Sequence, residues 1–427
     1  MSASSKQNPL VRVLGLRDFR LLFAGTTTSL LGDQLYLIAT PWLVLTLTGD
    51  PLALGVVLAL EGLPRAIFML VGGAITDRLS PRTVMLASDL IRFGLTTLMA
   101  LVVFTGAIQI WMLYAFGLGF GLVSGFAVPA GNSIVPMLVG EQDLQAGNAI
   151  MMGIGQLISF VGPTAAGILI GGFASSFVGV GLALAADAAT FAVSALCLWL
   201  IRAGGRPAAG GPAGQERVWA SIVAGVRHMW ADPALRLLLL ILAALNFFFS
   251  GPLLVSIPVL ANQYLPEGAL AFGLLMSAMS GGSLVGILLA GALPRPGGKA
   301  MRTFLIALLA GFSLVLGAFG FIRSTWADVA LLLLAGIGNG YIMIVMFTWM
   351  QANTPKALLG RMMSIVMLAS SGLIPVSQAI SGAVITWNLT MLLASAGAML
   401  LLVTLWSAFQ PGLRLFSTNL TAAPAEA

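Results

Sequence analysis

Six ionisable side chains interrupt the long apolar runs of the first half of the chain: Asp33, Glu61, Arg65, Asp89, Arg92 and Asp187. A charge in apolar surroundings is costly and is kept where it carries, binds or pairs with something. Spacing sorts the six. Glu61 and Arg65 are four apart, and Asp89 and Arg92 three apart. On a helix each couple shares a face and can neutralise itself. Asp33 and Asp187 have no basic partner on their own helix. An unpaired carboxyl in such a place can take up and release a proton reversibly. Asp33 is the leading candidate, with Glu61 and Asp187 beside it. Thr26, Ser29, Asp33, Tyr36 and Thr40 follow spacings of three and four, which makes one polar stripe on a helix. A polar stripe inside lipid must face protein or water.

Other chemistries are thin. Cys197 and His228 are the only residues of their types, so a disulfide, a thiolate metal site and a His-based triad are excluded. Cys197 reads as an inert core residue and His228 as a solvated loop residue. No Gly-x-x-x-x-Gly-Lys-Ser/Thr loop occurs, so direct ATP use is not expected. No zinc-protease or lipase-elbow signature occurs either. The chain reads as neither an enzyme nor a cofactor binder, with an ion gradient as its remaining energy source.

The elements that hold these residues follow from composition. Of 427 residues, 59% are hydrophobic and 8% charged. A soluble domain carries about 25% charged residues, so lipid must be the solvent here. A spanning helix needs roughly 20 apolar residues. Twelve candidates fit: 19–47, 52–76, 83–106, 109–137, 147–172, 176–201, 237–263, 270–293, 302–322, 327–351, 362–386 and 389–409. The fold expected is all-α and integral to the membrane, with two six-helix bundles. Residues 1–18 form a tail, 19–201 the first bundle, 202–236 a linker, 237–409 the second bundle and 410–427 a second tail. The linker begins Gly/Ala/Pro-rich, then Val218 to Trp230 reads as an amphipathic surface helix. Helices seven to twelve are expected to hold no interior charge comparable to the six above.

Basic residues orient this bundle. Seventeen of the twenty Lys and Arg fall on the side of the N-terminus, Arg323 alone on the other, and Arg65 and Arg92 inside helices. By the positive-inside rule both termini and the linker face the cytoplasm. The basic residues are scattered among loops, which argues against nucleic acid as a partner.

Several motifs carry a resemblance. Gly73-Ala-Ile-Thr-Asp77-Arg78-Leu-Ser-Pro-Arg82 resembles the loop signature between helices two and three of the major facilitator superfamily. Gly162-Pro163-Thr-Ala-Ala-Gly167 resembles the fifth-helix motif of its drug/proton antiporters. Arg17-Asp-Phe-Arg20, Gly32-Asp33 and Pro41-Trp42, with Val128-Pro129-Ala130 and Ile134-Val-Pro136, resemble the macrolide-efflux and enterobactin-exporter-like branch. The fourth helix departs from the antiporters, because Tyr114 to Gly121 holds no charge. Gly291-Ala-Leu-Pro-Arg295 weakly echoes the loop signature in the second half.

The resemblance implies pseudo-repeat bundles around a central cavity, and proton-coupled efflux of amphipathic small molecules, macrolide- or siderophore-like. Gly73, Asp77, Arg78 and Arg82 would latch a cytoplasmic gate. Gly162, Pro163 and Gly167 would kink and closely pack helix five. Helix one would line the cavity while helix six stays peripheral, which favours Asp33 and gives Asp187 a structural role. The cavity wall would add Ser29, Tyr36, Gln156, Asn246, Ser250, Asn339, Met343, Met346 and Gln378. The expected partners are a small-molecule substrate, protons and membrane lipid, with the chain a monomer in the cell (inner) membrane. A proton-coupled importer, or a lipid-handling or non-transporting membrane protein of the same fold, are the alternatives.

Overall fold

The structure, a computed structural model, describes residues 8–202, 227, 230, 232–293, 298–353 and 372–413; residues 70–78, 298 and 351–353 are described by backbone alone. Every regular element among them is helical. A short helix, α1 (Pro9–Gly15), precedes α2 (Arg17–Thr48), α3 (Pro51–Arg78), α4 (Pro81–Phe104), α5 (Ile110–Leu138), α6 (Leu144–Gly171) and α7 (Ser176–Leu200). The second half holds α8 (Pro233–Gln263), α9 (Ala269–Ala292), α10 (Gly298–Phe321), α11 (Thr325–Asn353), α12 (Gly372–Ile385) and α13 (Leu389–Phe409). Eleven of these are long and apolar enough to cross a membrane, and α12 is a shorter apolar helix. The expected span 362–386 is described only from Gly372. The chain is therefore a multi-pass, all-α membrane protein. Exposed tryptophans sit at helix ends, Trp111, Trp326 and Trp387 at one set and Trp199 and Trp406 at the other, as interfacial anchors do.

Contacts divide the chain into two compact units, one of Met1–Gly49 with Leu63–Gly211 and one of Asp50–Gly62 with Pro212–Ala427. The division falls inside α3, next to Pro64, whose ring removes a helix hydrogen bond. Glu61 thus groups with the second unit and Arg65 with the first.

In the first unit one end is closed by a small apolar core. Val13 of α1, Phe19 and Leu22 of α2, Ile134 and Val135 of α5 and Leu198 of α7 meet there. Arg12 pins α1 down by a two-pronged bond to Asp143, which ends a 3-10 turn before α6, with Nε at 2.8 and 3.0 Å from its oxygens. The Asp143 hydrogen bond holds the Arg12 guanidinium above its ordinary pKa. Arg82, the second residue of α4, donates from Nε to Leu198 O and from Nη2 to Trp199 O, both at 2.8 Å. A cation there meets the free carbonyls and negative end of α7.

The second unit repeats that device. Arg302, near the start of α10, donates to Ala408 O at the end of α13, at 2.5 Å. In each half the third spanning helix thus grips the end of the sixth. Elsewhere α9 and α11 meet backbone to backbone. A Cβ on Gly282 would fall 3.0 Å from the Gly336 Cα, and one on Gly336 3.0 Å from the Gly282 Cα. Helices in lipid gain from such small-residue contacts because close backbones maximise dispersion. The helix α8 is interrupted by a π-helical turn, Leu245–Ser250. Ser377 of α12 donates to the Phe247 carbonyl in that turn.

Some expectations fall outside the described residues: the linker helix except exposed Arg227 and Trp230, His228, residues 1–7 and 414–427 of the tails, Arg295, and the surroundings of Gly73, Asp77 and Arg78, which are described by backbone alone. One expectation is corrected. The second half does hold an interior charge, because Asp328 in the first turn of α11 is fully buried.

Candidate functional site

Asp33, Asp89, Arg92 and Asp187 come from three helices, α2, α4 and α7, and gather within the first unit. Arg92 is nearly buried and stands at their centre. Its Nη1 lies 3.9 Å from Asp33 Oδ1, its Nη2 donates to Ser124 Oγ at 3.0 Å, and its guanidinium lies 5.5 Å from the Phe191 ring centroid. Its Nε is buried with no hydrogen-bond partner among the described residues.

The spacing of Asp89 and Arg92 offers a pair within α4, and Arg92 does act on Asp89 through its charge, but the direct hydrogen bond to Asp89 comes from another helix. Asp89 is buried and accepts from Ser194 Oγ of α7 at 2.6 Å. A hydroxyl from a facing helix satisfies it directly, which frees Arg92 to reach across to α2. Asp33 therefore has a basic partner, although none on its own helix. Its side chain is 43% exposed, which makes it the least buried of the three carboxyls. The positive fields of Arg92 and Arg65 both reach it.

Asp187 is 0% exposed, and neither of its carboxylate oxygens has a hydrogen-bond partner among the described residues. Two hydroxyls are near, but each gives its proton to a carbonyl: Thr96 to Arg92 O at 2.9 Å and Thr190 to Asp187 O at 2.7 Å. Gly32 of α2 sits directly against Thr190 and Asp187. The carboxyls of Asp33 and Asp187 are thereby held on adjoining surfaces, close enough for Asp187 to feel the charge of Asp33.

The polar stripe on α2 divides. Thr26, Ser29 and Asp33 are half-buried, while Tyr36 and Thr40 are buried. Tyr36 stacks on Phe120 of α5 with centroids 4.4 Å apart. Gly162 of α6 abuts Gln34, where a Cβ would lie 2.5 Å from Gln34 Cγ. The Gly162-Pro163-Gly167 stretch is buried and packs α6 beside the Asp33 turn. Gln156 is half-buried on α6, and Glu61 and Arg65 are half-buried on α3.

The second unit contains a cavity of about 230 Å³. Asn246 and Ser250 line it from the π-helical turn, and Asn339, Met343 and Met346 from α11. Leu242, Phe249, Phe312, Phe347 and Met350 are among the other residues of an uncharged wall of aliphatic, aromatic and thioether surface with three neutral polar side chains. Asn246 Nδ2 donates to Leu242 O at 2.9 Å, which leaves its carbonyl as an acceptor. Five of the nine residues chosen as cavity wall thus meet here. Gln378 is buried on α12 instead, with its backbone carbonyl against Gly55.

Sequence reasoning missed Ser124, Phe191 and Ser194. A signal existed for two of them: Asp187, Thr190, Phe191 and Ser194 are spaced at three, four and seven, so they share the inward face of α7.

A profile of the Major Facilitator Superfamily matches residues 22–377. The chain is 28% identical over 348 residues to the Enterobactin exporter EntS of Escherichia coli O127:H6 (strain E2348/69 / EPEC), covering 80% of this chain and 79% of that protein. Among solved structures it resembles a point mutant of the nucleoside transporter NupG, with a TM-score of 0.72 and 12% identity over 92% of this chain and 98% of that one. It also resembles a bacterial homolog to the human lysosomal transporter Spinster, inward-facing and unoccupied, with a TM-score of 0.66 and 16% identity over 99% and 100% of the two chains.

Proposed function

The chain belongs to the Major Facilitator Superfamily, and on that premise we propose that it is a secondary active exporter, exchanging inward protons for an outgoing amphipathic small molecule by alternating access. The observation that carries this is the Asp33–Asp89–Asp187 cluster around one guanidinium. Arg92, with Arg65 felt at Asp33, cannot neutralise three carboxylates in apolar surroundings, so the cluster shares protons, and Asp33 is its least buried member. When Asp33 is ionised it is held toward Arg92. When protonated it releases that hold and shifts the balance between conformations. The outward direction is supported by the relative named an enterobactin exporter. The chain sits in the cell membrane with both termini in the cytoplasm, on the strength of the basic-residue count.

The uncharged cavity of the second unit is where the apolar part of the substrate rests. Its methionines adapt to varied shapes, and Asn246, Ser250 and Asn339 provide the few polar contacts that orient a ligand in such a pocket. The test is efflux from cells of a cationic dye, a neutral macrolide and a catecholate siderophore, with and without a proton ionophore. Ionophore-sensitive efflux of at least one, reduced by the cavity-filling Ser250→Phe, is expected. Efflux indifferent to the ionophore, or net proton-driven uptake, would reject the reading.

A further inference from the structure

Between Pro233 and Leu413 the sequence contains two acids, Glu267 and Asp328. Asp328 lies in the first turn of α11, 0% exposed, and neither of its carboxylate oxygens has a hydrogen-bond partner among the described residues. Its surroundings come from every element at that end of the unit. Thr325, one turn earlier, donates to Glu267 from the α8–α9 connection. Arg323, from the α10–α11 connection, donates to Ile322 O at 2.9 Å and Thr390 Oγ1 at 3.2 Å. Its guanidinium also lies 4.5 Å from the Tyr264 ring centroid. Its field reaches Asp328, while its two hydrogen bonds go to other groups. The helices α9, α12 and α13 carry no ionisable side chain, while Lys299 and Arg302 of α10 and Arg236 of α8 lie at the opposite ends of their helices. Glu267, Arg323 and the Tyr264 phenol are thus the titratable groups around Asp328.

An ionised carboxylate stripped of water and of hydrogen bonds is strongly disfavoured, and such a group neutralises instead. A helix N-terminus is nevertheless where an anion is best tolerated once water arrives. We propose that Asp328 is a second proton-carrying carboxyl, neutral in this conformation and ionised in a conformation that wets the first turn of α11. On release its O–H bond breaks, the proton passes to entering water, and the negative charge stays on the carboxylate facing the helix end and Arg323. What that proton does in transport rests on the proton-coupled reading above; that Asp328 carries one does not.

The experiment uses the full-length protein in liposomes and two variants, Asp328→Asn and Glu267→Gln. Infrared difference spectra between acidic and alkaline medium read the carboxylic-acid C=O stretch, and a pH indicator counts protons released. Asp328→Asn should remove one component of the band and one released proton, while Glu267→Gln leaves that component in place. Because an amide mimics the neutral acid, Asp328→Asn should also unfold within a few degrees of the wild type at neutral pH. An unchanged band and proton count in folded Asp328→Asn overturns the inference. So does failure of Asp328→Asn to fold, since that means the anion itself is needed. Loss of the component, in a wild type whose efflux ignores the proton gradient, keeps Asp328 as a proton site and rejects the coupled-export reading instead.

Discussion

Replacing Asp33 by asparagine tests the coupling cluster most directly. The perturbation removes one negative charge 3.9 Å from Arg92 and keeps the side chain's shape. At about 4 Å a full pair is worth roughly 4 kcal/mol at an effective dielectric of 20, and about 1 kcal/mol in water. Because Asp33 is 43% exposed, the lower part of that range applies, about 1–2 kcal/mol. Since about 1.4 kcal/mol is a factor of ten, the conformational balance set by this pair shifts by roughly 5- to 30-fold. Asp33→Asn should then behave as a protein permanently protonated at this position. In proteoliposomes loaded with a transported dye, efflux driven by an imposed pH gradient falls to the rate seen with ionophore. Exchange of labelled for unlabelled dye at equal pH persists, because that cycle moves no net proton. Gradient-driven efflux at the wild-type rate in Asp33→Asn would refute the argument and leave Asp187 or Glu61 as the carrier.

Ser194→Ala removes the hydroxyl that Asp89 accepts from, leaving a buried acceptor short of a partner at about 1–3 kcal/mol; a lowered thermal midpoint in detergent checks this. Gly336→Val drives a branched side chain into the Gly282 backbone and should cost several kcal/mol or abolish monodisperse protein on size exclusion, whereas Gly311→Ala, with open space around it, should not. Arg302→Gln and Arg82→Gln each remove charge-assisted bonds to helix-end carbonyls; each should lower the unfolding midpoint by an amount matching about 1–3 kcal/mol, and the two should add. Asp143→Asn loosens α1 and should speed tryptic cleavage after Arg12 and Arg17. Because the bond raises the Arg12 pKa, its contribution is complete below the ordinary arginine value and lost only above it, so cleavage of the wild type should not vary from pH 6 to pH 9 for this reason.

The spans were legible because hydropathy over some 20 residues is decided by composition, and α2 to α11 fall within a few residues of the expected bounds. Partners were less legible. The spacing rule sees only one helix, so it offered Asp89 to Arg92 and could not see Ser194 or Asp33 arriving from the facing helices. Asp328 was overlooked although it is the second residue of the expected span 327–351; composition does not tell an exposed helix end from a packed one, and only packing shows that the first turn of α11 is buried. The π-helical turn had no sequence mark either. Leu245 to Ser250 reads as ordinary apolar helix, and the extra residue is stabilised by Ser377 from 130 positions away. The division of α3 at Gly62 follows from contacts, which composition does not encode.

The paired grips of Arg82 and Arg302 bear on how much sequence change the two halves tolerate. The two halves share little recognisable sequence, yet in each an arginine near the start of the third spanning helix binds carbonyls at the end of the sixth. Its acceptors are backbone atoms, present whatever side chain occupies Leu198, Trp199 or Ala408, so drift on the sixth helix leaves the bond intact. Only the arginines must be kept. Two basic residues and a set of backbone carbonyls are thus enough to give both halves the same contact.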